Sequence, residues 1–233
     1  ESSRLAEEAL SHYEKGFRLM KIKLGFGLQD DMAVMRAIQE SISGLGVTLM
    51  VDTNHAYGRR DALTLGHKLS EFDLRWYEEP VVPEDLESYA ELRRSLTMAI
   101  AGGENEHGLY GFKSLFAAGA VDIAQPDIGS CGGFTGARHI VTLAQAFGVE
   151  INPHVWGSAI AQAASLQLIA ALPVSHHSIF SRQPILEYDQ SAHPFRRELV
   201  EDPIEIESGL VTIPSKPGLG ISVNKKTIER FKR

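Results

Sequence analysis

Six short apolar runs, each ending on a polar side chain, recur along this chain at nearly constant spacing. The terminal residues are Lys23, Asp52, Glu78, Glu104, Asp127 and His154, separated by 29, 26, 26, 23 and 27 residues. Each interval is close to one strand plus one crossover helix with its connections. A strand that returns parallel to its predecessor presents the same end each time, so the six polar groups are expected at one mouth. The fold class this predicts is α/β, a (β/α)8 TIM-type barrel with its chemistry at the strand C-termini. A doubly wound sheet alternates in the same way, and the regular recurrence of reactive residues at strand ends is what favours the barrel.

The predicted strands are residues 19–23 (LMKIK), 47–52 (VTLMVD), 74–79 (LRWYEE), 97–104 (TMAIAGGE), 120–127 (AVDIAQPD) and 149–154 (VEINPH). VTLMVD is apolar almost throughout, as suits a strand covered on both faces. Between the strands the apolar period changes to that of a helix. Residues 30–43 carry Met32, Met35, Ile38 and Ile42 at helical spacing behind an Asp N-cap. Further helices are predicted over 60–72, 86–96, 111–118, 135–148 and 158–173, and residues 1–15 read as an amphipathic helix. Past Pro173 the rhythm stops, His176 and His177 read as loop, and one more strand is predicted at 185–188 (ILEY). Strand-like runs such as GLVTIP and LGISV follow among Pro/Gly turns. The expected division is a barrel over 1–190, incomplete at its N-terminus, and a tail over 191–233 that packs on the barrel or on a capping domain.

Composition narrows the partners. With 233 residues the chain can bury one large core. Its formal charge is −7 and no run of Lys or Arg forms a nucleic-acid or membrane footprint, so a small molecule is the expected partner. Cys131 is the only cysteine, which excludes a disulfide framework, argues against a thiolate metal site and fits a cytoplasmic location. No apolar run approaches the roughly 18 residues of a membrane-spanning helix, and the first 15 lack a signal segment. The chain opens on Glu1, straight into a helix, so further sequence upstream is expected.

Three consecutive strands end on carboxylates, Asp52, Glu78 and Glu104. Converging anions repel unless a cation joins them, and oxygen-only ligands suit a hard divalent ion such as Mg²⁺. A substrate carboxylate bound to such an ion would have its α-proton acidified. Lys23 stands to one side of the triad, with Asp127 and His154 on later strands, which offers two bases to opposite faces of one substrate. An Asp beside an imidazole fixes its tautomer and supports its protonated form. Lys21 shares the strand face of Lys23 because side chains alternate.

The series K-x-K at 21 and 23, VDTN at 51–54, EEP at 78–80, GGE at 102–104, QPD at 125–127 and NPH at 152–154 resembles the enolase superfamily, mandelate racemase subgroup. MVDTNHAY, WYEEPVVPEDL, PHVWG and ILEYDQSAHPFR are most similar to its acid-sugar cycloisomerases and dehydratases. The resemblance runs from about Phe17 to Leu219. It implies Mg²⁺ ligation by Asp52, Glu78 and Glu104, acid/base catalysis by Lys23 and His154, and orientation of the histidine by Asp127. It also implies that Glu187 hydrogen-bonds the substrate carboxylate, that an N-terminal capping domain and first strand are absent from this chain, and that the protein is a homo-oligomer. The implied activity is removal of an α-proton from an acid-sugar carboxylate or its lactone through an enediolate. Cycloisomerisation, dehydration and racemisation all remain open as outcomes.

Lys21, Asn54, Glu187 and Trp156 are the candidate substrate-binding residues. Asn54 contacts substrate or caps a turn. His55 and His107 are expected to be loop residues, Glu79 a structural partner and Cys131 a small packing residue. Trp76 and Trp156 pack the core or flank the site, and Trp156, two residues past His154, is the better pocket candidate. Two rivals stay open: a glycoside hydrolase barrel using two of the carboxylates without a metal, and a non-catalytic sugar-acid binder.

Overall fold

A computed structural model of the chain describes residues 2–173 and 182–232; His176 and His177 lie outside the described residues. Strands and helices alternate as α1 (Ser2–Glu14), β1 (Leu19–Lys23), α2 (Leu28–Ser41), β2 (Thr48–Asp52), α3 (Arg59–Leu69), β3 (Leu74–Glu78), α4 (Leu86–Ser95), β4 (Ala99–Gly102), α5 (Gly108–Ala117) and β5 (Ile123–Ala124). The order continues with α6 (Gly133–Phe147), β6 (Glu150–Ile151), α7 (Ala159–Ala171), α8 (Pro194–Arg197), β7 (Ile206–Glu207), β8 (Leu210–Val211) and α9 (Lys225–Phe231). The residues group into two compact units. The first holds Glu1–Gly102, Ser114–Ile123 and Glu207–Gly209; the second holds Gly103–Lys113, Ala124–Ile206 and Leu210–Arg233.

In the first unit β1, β2, β3 and β4 lie parallel in that order. Lys23 pairs with Asp52 and Asp52 with Glu78, so three of the recurring polar residues form one row across three strands. That row depends on an irregularity: Leu49 pairs with Leu74, whereas Val51 pairs with Tyr77. Without the slip Asp52 would oppose Tyr77, and because strand side chains alternate, a one-residue change exchanges the two faces. Met35 and Ile38 of α2, Val51, Leu65 and Leu69 of α3, Tyr77, Leu92 of α4 and Ile100 form the buried core here. A fully buried aliphatic or aromatic side chain stabilises by about 1.5–3 kcal/mol, so these helices are held mainly by packing.

The Asp N-cap expected for the second helix is corrected by the structure. Helix α2 starts at Leu28 with Gly27 as its N-cap, and no side chain caps it. Asp31 sits inside the first turn, fully buried, and its carboxylate turns back to the N–H groups of Gly25 and Phe26.

In the second unit the Asn152 N–H donates to the Ala124 carbonyl at 3.0 Å, which sets β6 beside the end of β5. Left-handed glycines bound α6, Gly132 (φ 102°) at its start and Gly148 (φ 69°) at its end. Ser158 caps α7 by accepting from the Ala161 N–H. The strand predicted over 185–188 does not form. The Asn152 side-chain amide accepts from the Ile185 N–H at 2.9 Å and donates to the Ile185 carbonyl at 3.3 Å. One side chain thus takes the two bonds that a neighbouring strand would have made. Of the run 219–223, only Val223 makes a β-bridge, antiparallel with Val200. No helix among the described residues is long and apolar enough to cross a membrane.

Candidate functional site

In the first unit the ends of β1, β2 and β3 bring four charged groups together. Asp52 and Glu78 are completely buried, and their carboxylates offer oxygens within 4.8 Å of each other. Lys21 Nζ donates to Glu78 Oε1 at 2.6 Å and lies 3.7 Å from Asp52 Oδ2. Lys23 Nζ donates to Asp52 Oδ2 and, at 3.0 Å, to Asn54 Oδ1. The Asn54 N–H donates to Asp52 Oδ1 at 2.8 Å. Burial opposes ionisation of Asp52, but the charges of Lys21 and Lys23 and the bonds from Lys23 and Asn54 outweigh it, holding the carboxyl below its usual range.

The backbone around these ends is strained. Asn54 (φ 41°), His55 (φ 50°) and Glu79 (φ 42°) adopt left-handed conformations. Such conformations cost energy for residues with a Cβ and persist where the surroundings over-determine them. Here the Glu79 carbonyl accepts from Thr53 Oγ1 at 2.9 Å and from the His55 N–H at 2.8 Å, tying the turn after Asp52 to the turn after Glu78.

The second unit assembles the other predicted site residues. His154 Nδ1 lies 2.8 Å from Asp127 Oδ2, and Asp127 Oδ1 accepts from the Gly129 N–H at 2.7 Å. His154 Nε2 faces Glu104 Oε2 at 3.4 Å and Glu187 Oε2 at 4.0 Å. Glu187 also accepts from the Val155 N–H at 3.1 Å. Partial burial raises the Asp127 pKa, but bonds from His154 and Gly129 and the charge of His154 reverse the effect, so this carboxyl too is lowered. An ionised Asp127 only accepts, which assigns the histidine N–H to Nδ1. Glu104 follows Gly103, whose φ of 121° suits glycine; a Cβ there would stand 2.9 Å from the Phe112 ring.

Trp156, the preferred pocket tryptophan, is 65% exposed, with its ring edge-on to His193 at 6.4 Å between centroids. Trp76, the other candidate, is buried, and its Nε1 donates to Glu78 Oε2 at 2.8 Å. The signal was available, since Trp76 lies two residues before Glu78 on one strand and therefore on its face. His55 and His107 are exposed and Cys131 is fully buried. Burial raises the Cys131 thiol to about 11, which makes it inert at neutral pH.

The donor set fits a hard cation. Asp52 and Glu78 present only oxygen, both are fully buried, and the adjacent positive charges of Lys21 and Lys23 show that the two carboxylates require compensation. Glu104, which belongs to the second unit, carries a carboxylate of the same kind.

The family described as Enolase C-terminal domain-like matches residues 4–227. The D-galactarolactone cycloisomerase of Agrobacterium fabrum is 44% identical over 227 residues, covering 97% of this chain and 60% of that protein. The crystal structure of the 3,6-anhydro-D-galactonate cycloisomerase from Zobellia galactanivorans superposes with a TM-score of 0.91 at 40% identity, covering 99% of this chain and 63% of the other. The L-talarate dehydratase from Polaromonas sp. JS666, solved with Mg and L-glucarate, gives 0.85 at 28% identity over 98% of this chain and 59% of its own. The chain thus spans about three-fifths of the length of these relatives. A family match over nearly all its residues and a relative of this identity place the chain in the enolase superfamily, in its mandelate racemase-like branch, with the TIM-type barrel fold of the C-terminal domain.

Proposed function

We propose that the protein is a Mg²⁺-dependent lyase or isomerase that removes the α-proton of an acid-sugar carboxylate, with galactarolactone cycloisomerase-like chemistry the preferred outcome. The observation that carries this reading is the pairing of two proton-transfer groups with separate carboxylates: Lys23 on Asp52 and His154 on Asp127. A hydrolase or a passive binder needs neither arrangement. The 44% identity to a D-galactarolactone cycloisomerase supports the choice of substrate class.

In this reading Asp52, Glu78 and Glu104 hold the ion. When bound, Mg²⁺ would stabilise the negative charge that develops on the substrate carboxylate as the α-C–H bond breaks. Lys23 and His154 Nε2 then take or return the proton from opposite faces. Asp127 holds the imidazole in the tautomer that leaves Nε2 as the exchanging nitrogen. Lys21 compensates Glu78 and faces the substrate carboxylate together with Glu187, while Asn54 orients Lys23 and Trp156 covers the substrate. Departure of a β-group from the enediolate gives lactone opening or dehydration.

Dehydration is the second reading, because an L-rhamnonate dehydratase of Saccharopolyspora erythraea is 33% identical over 210 residues. The test is incubation of the full-length protein with hexarates, aldonates and their lactones in Mg²⁺ and D₂O, scored for α-proton exchange and product. Exchange that is lost in both Lys23→Ala and His154→Asn supports the proposal. Binding of acid sugars that survives both changes, without exchange in the wild type, would identify a binder instead. Turnover that persists in EDTA would point to a metal-free hydrolase.

A further inference from the structure

The fully buried Asp31 carboxylate lies outside the cluster just described, and no step of the proposed reaction uses it. It accepts from the Gly25 N–H at 3.1 and 3.0 Å, from the Phe26 N–H at 3.1 Å and from the Tyr57 hydroxyl at 2.5 Å. The Tyr57 oxygen accepts in turn from the Gly27 N–H at 2.9 Å. All three backbone N–H groups of the segment 25–27 are therefore held by one carboxylate and the hydroxyl it fixes. The segment follows Lys23 directly, and Tyr57 closes the turn that follows Asp52 and Asn54.

The two turns touch at a position that tolerates little movement. Gly25 has φ 106°, and a Cβ there would lie 2.8 Å from Ala56 Cβ and 3.0 Å from the Thr53 carbonyl oxygen. On the strand side the Leu24 N–H donates to the Asp52 carbonyl at 2.8 Å. Lys23 is thus fixed on one side by the β1–β2 ladder and on the other by the Asp31 pin, although its side chain is 53% exposed. A long ammonium side chain in water samples many rotamers, and a backbone held from both ends limits where its Nζ can go.

Tyr57 gains more than packing from the arrangement. Burial, followed by its bond to Asp31, raises its hydroxyl to about 12, so it stays a donor to Asp31 across the physiological range. Buried charge-assisted bonds of this kind are costly to break one at a time, because the remaining partner is left unsatisfied.

We propose that Asp31 is a positioning residue for Lys23, acting through the Gly25–Gly27 backbone and Tyr57 to hold the lysine against Asp52 and Asn54. The functional part rests on the reading of Lys23 as one of the two proton-transfer groups; the geometric part does not. Two experiments on the full-length protein separate them.

The first needs no substrate. In the metal-free protein, limited acetylation read by peptide mass spectrometry reports how readily Lys23 reacts. Asp31→Asn and Tyr57→Phe should each raise its labelling rate by about three-fold or more while Lys113, remote in sequence, is unchanged. Rates within experimental error of wild type in both variants would overturn the proposal whatever the activity. The second measures exchange in D₂O with Mg²⁺ on substrates of both α-configurations. Asp31→Asn should lower kcat at least 10-fold on the configuration served by Lys23, with KM changed less than three-fold and the configuration served by His154 much less affected. Tyr57→Phe should show the same bias to a smaller degree, and Asp31→Glu should recover part of the rate. Equal losses on both configurations, with no recovery in Asp31→Glu, would show a merely structural residue. Should Asp31→Asn fail to fold, Tyr57→Phe alone decides between these outcomes. An inactive wild type would defeat the functional reading, and the labelling result would still decide the geometric claim.

Discussion

His154 Nδ1 stands 2.8 Å from Asp127 Oδ2, so the imidazole turns its Nε2 toward Glu104 and Glu187. Asp127→Asn keeps the shape of this contact but offers an amide that can donate as well as accept, which permits the wrong tautomer. By analogy with other Asp-oriented histidines, kcat should fall on the order of 10⁴-fold. KM should change little, because the side-chain partner of Asp127 is the histidine. Steady-state kinetics measures both, and a loss confined to KM would contradict the assigned role.

The lowered carboxyls predict how stability depends on pH. Asp52 and Asp127 both titrate below the ordinary value of 3.8 in the folded state. A depressed folded pKa contributes stability that is complete above the unfolded value and disappears as pH falls through the folded one. The metal-free protein should therefore hold constant stability from pH 7 to about 5, as far as these two groups decide it, and lose stability below about 4. Urea unfolding followed by circular dichroism between pH 3 and 7 reads this directly. Asp127→Asn should flatten part of the decline.

Trp76→Phe retains most of the buried ring and removes the indole donor to Glu78 Oε2. Loss of a hydrogen bond to a metal ligand, the role proposed for Glu78, commonly weakens affinity by about 10- to 100-fold. Mg²⁺ titration by calorimetry should show a change at the low end of that range, because Lys21 still holds the other oxygen of Glu78. Unchanged affinity with an unchanged fold would show that the indole does not tune the proposed ligand.

Gly25→Ala should destabilise the chain by about 1–3 kcal/mol, from a positive φ combined with the 2.8 Å approach to Ala56. Equilibrium unfolding gives the number. Gly27→Ala, with φ 122° but open space around its Cβ position, should cost less.

The strand-to-helix rhythm was readable from sequence because it is a local periodicity. Apolar runs of strand length, each followed by a helical pattern, place Lys23, Asp52 and Glu78 at strand ends without knowledge of any distance. The row they form was less readable. It requires the register slip between Leu49 and Val51, and a slip is a property of two strands together.

Beyond Pro173 the local signal misled. ILEY has strand composition, but Asn152 supplies both backbone bonds of Ile185. A side chain 33 residues away cannot be read from the segment's own pattern. Asp31 misled in a similar way: an acidic residue ahead of a helical pattern reads as an N-cap, whereas its partners are the preceding loop and Tyr57, 26 residues on.

The alternation of elements, the identities of the strand-end residues and the kind of chemistry that carboxylates, lysines and a histidine at such ends can perform are all legible along the chain. Those follow from periodicity and side-chain type, which each segment carries on its own. The pairing of Lys21 with Glu78, of Lys23 with Asp52 and of the Trp76 indole with Glu78 is a property of the folded chain alone. Such pairings depend on which buried groups must satisfy one another once water is excluded, and that requirement exists only in the packed molecule.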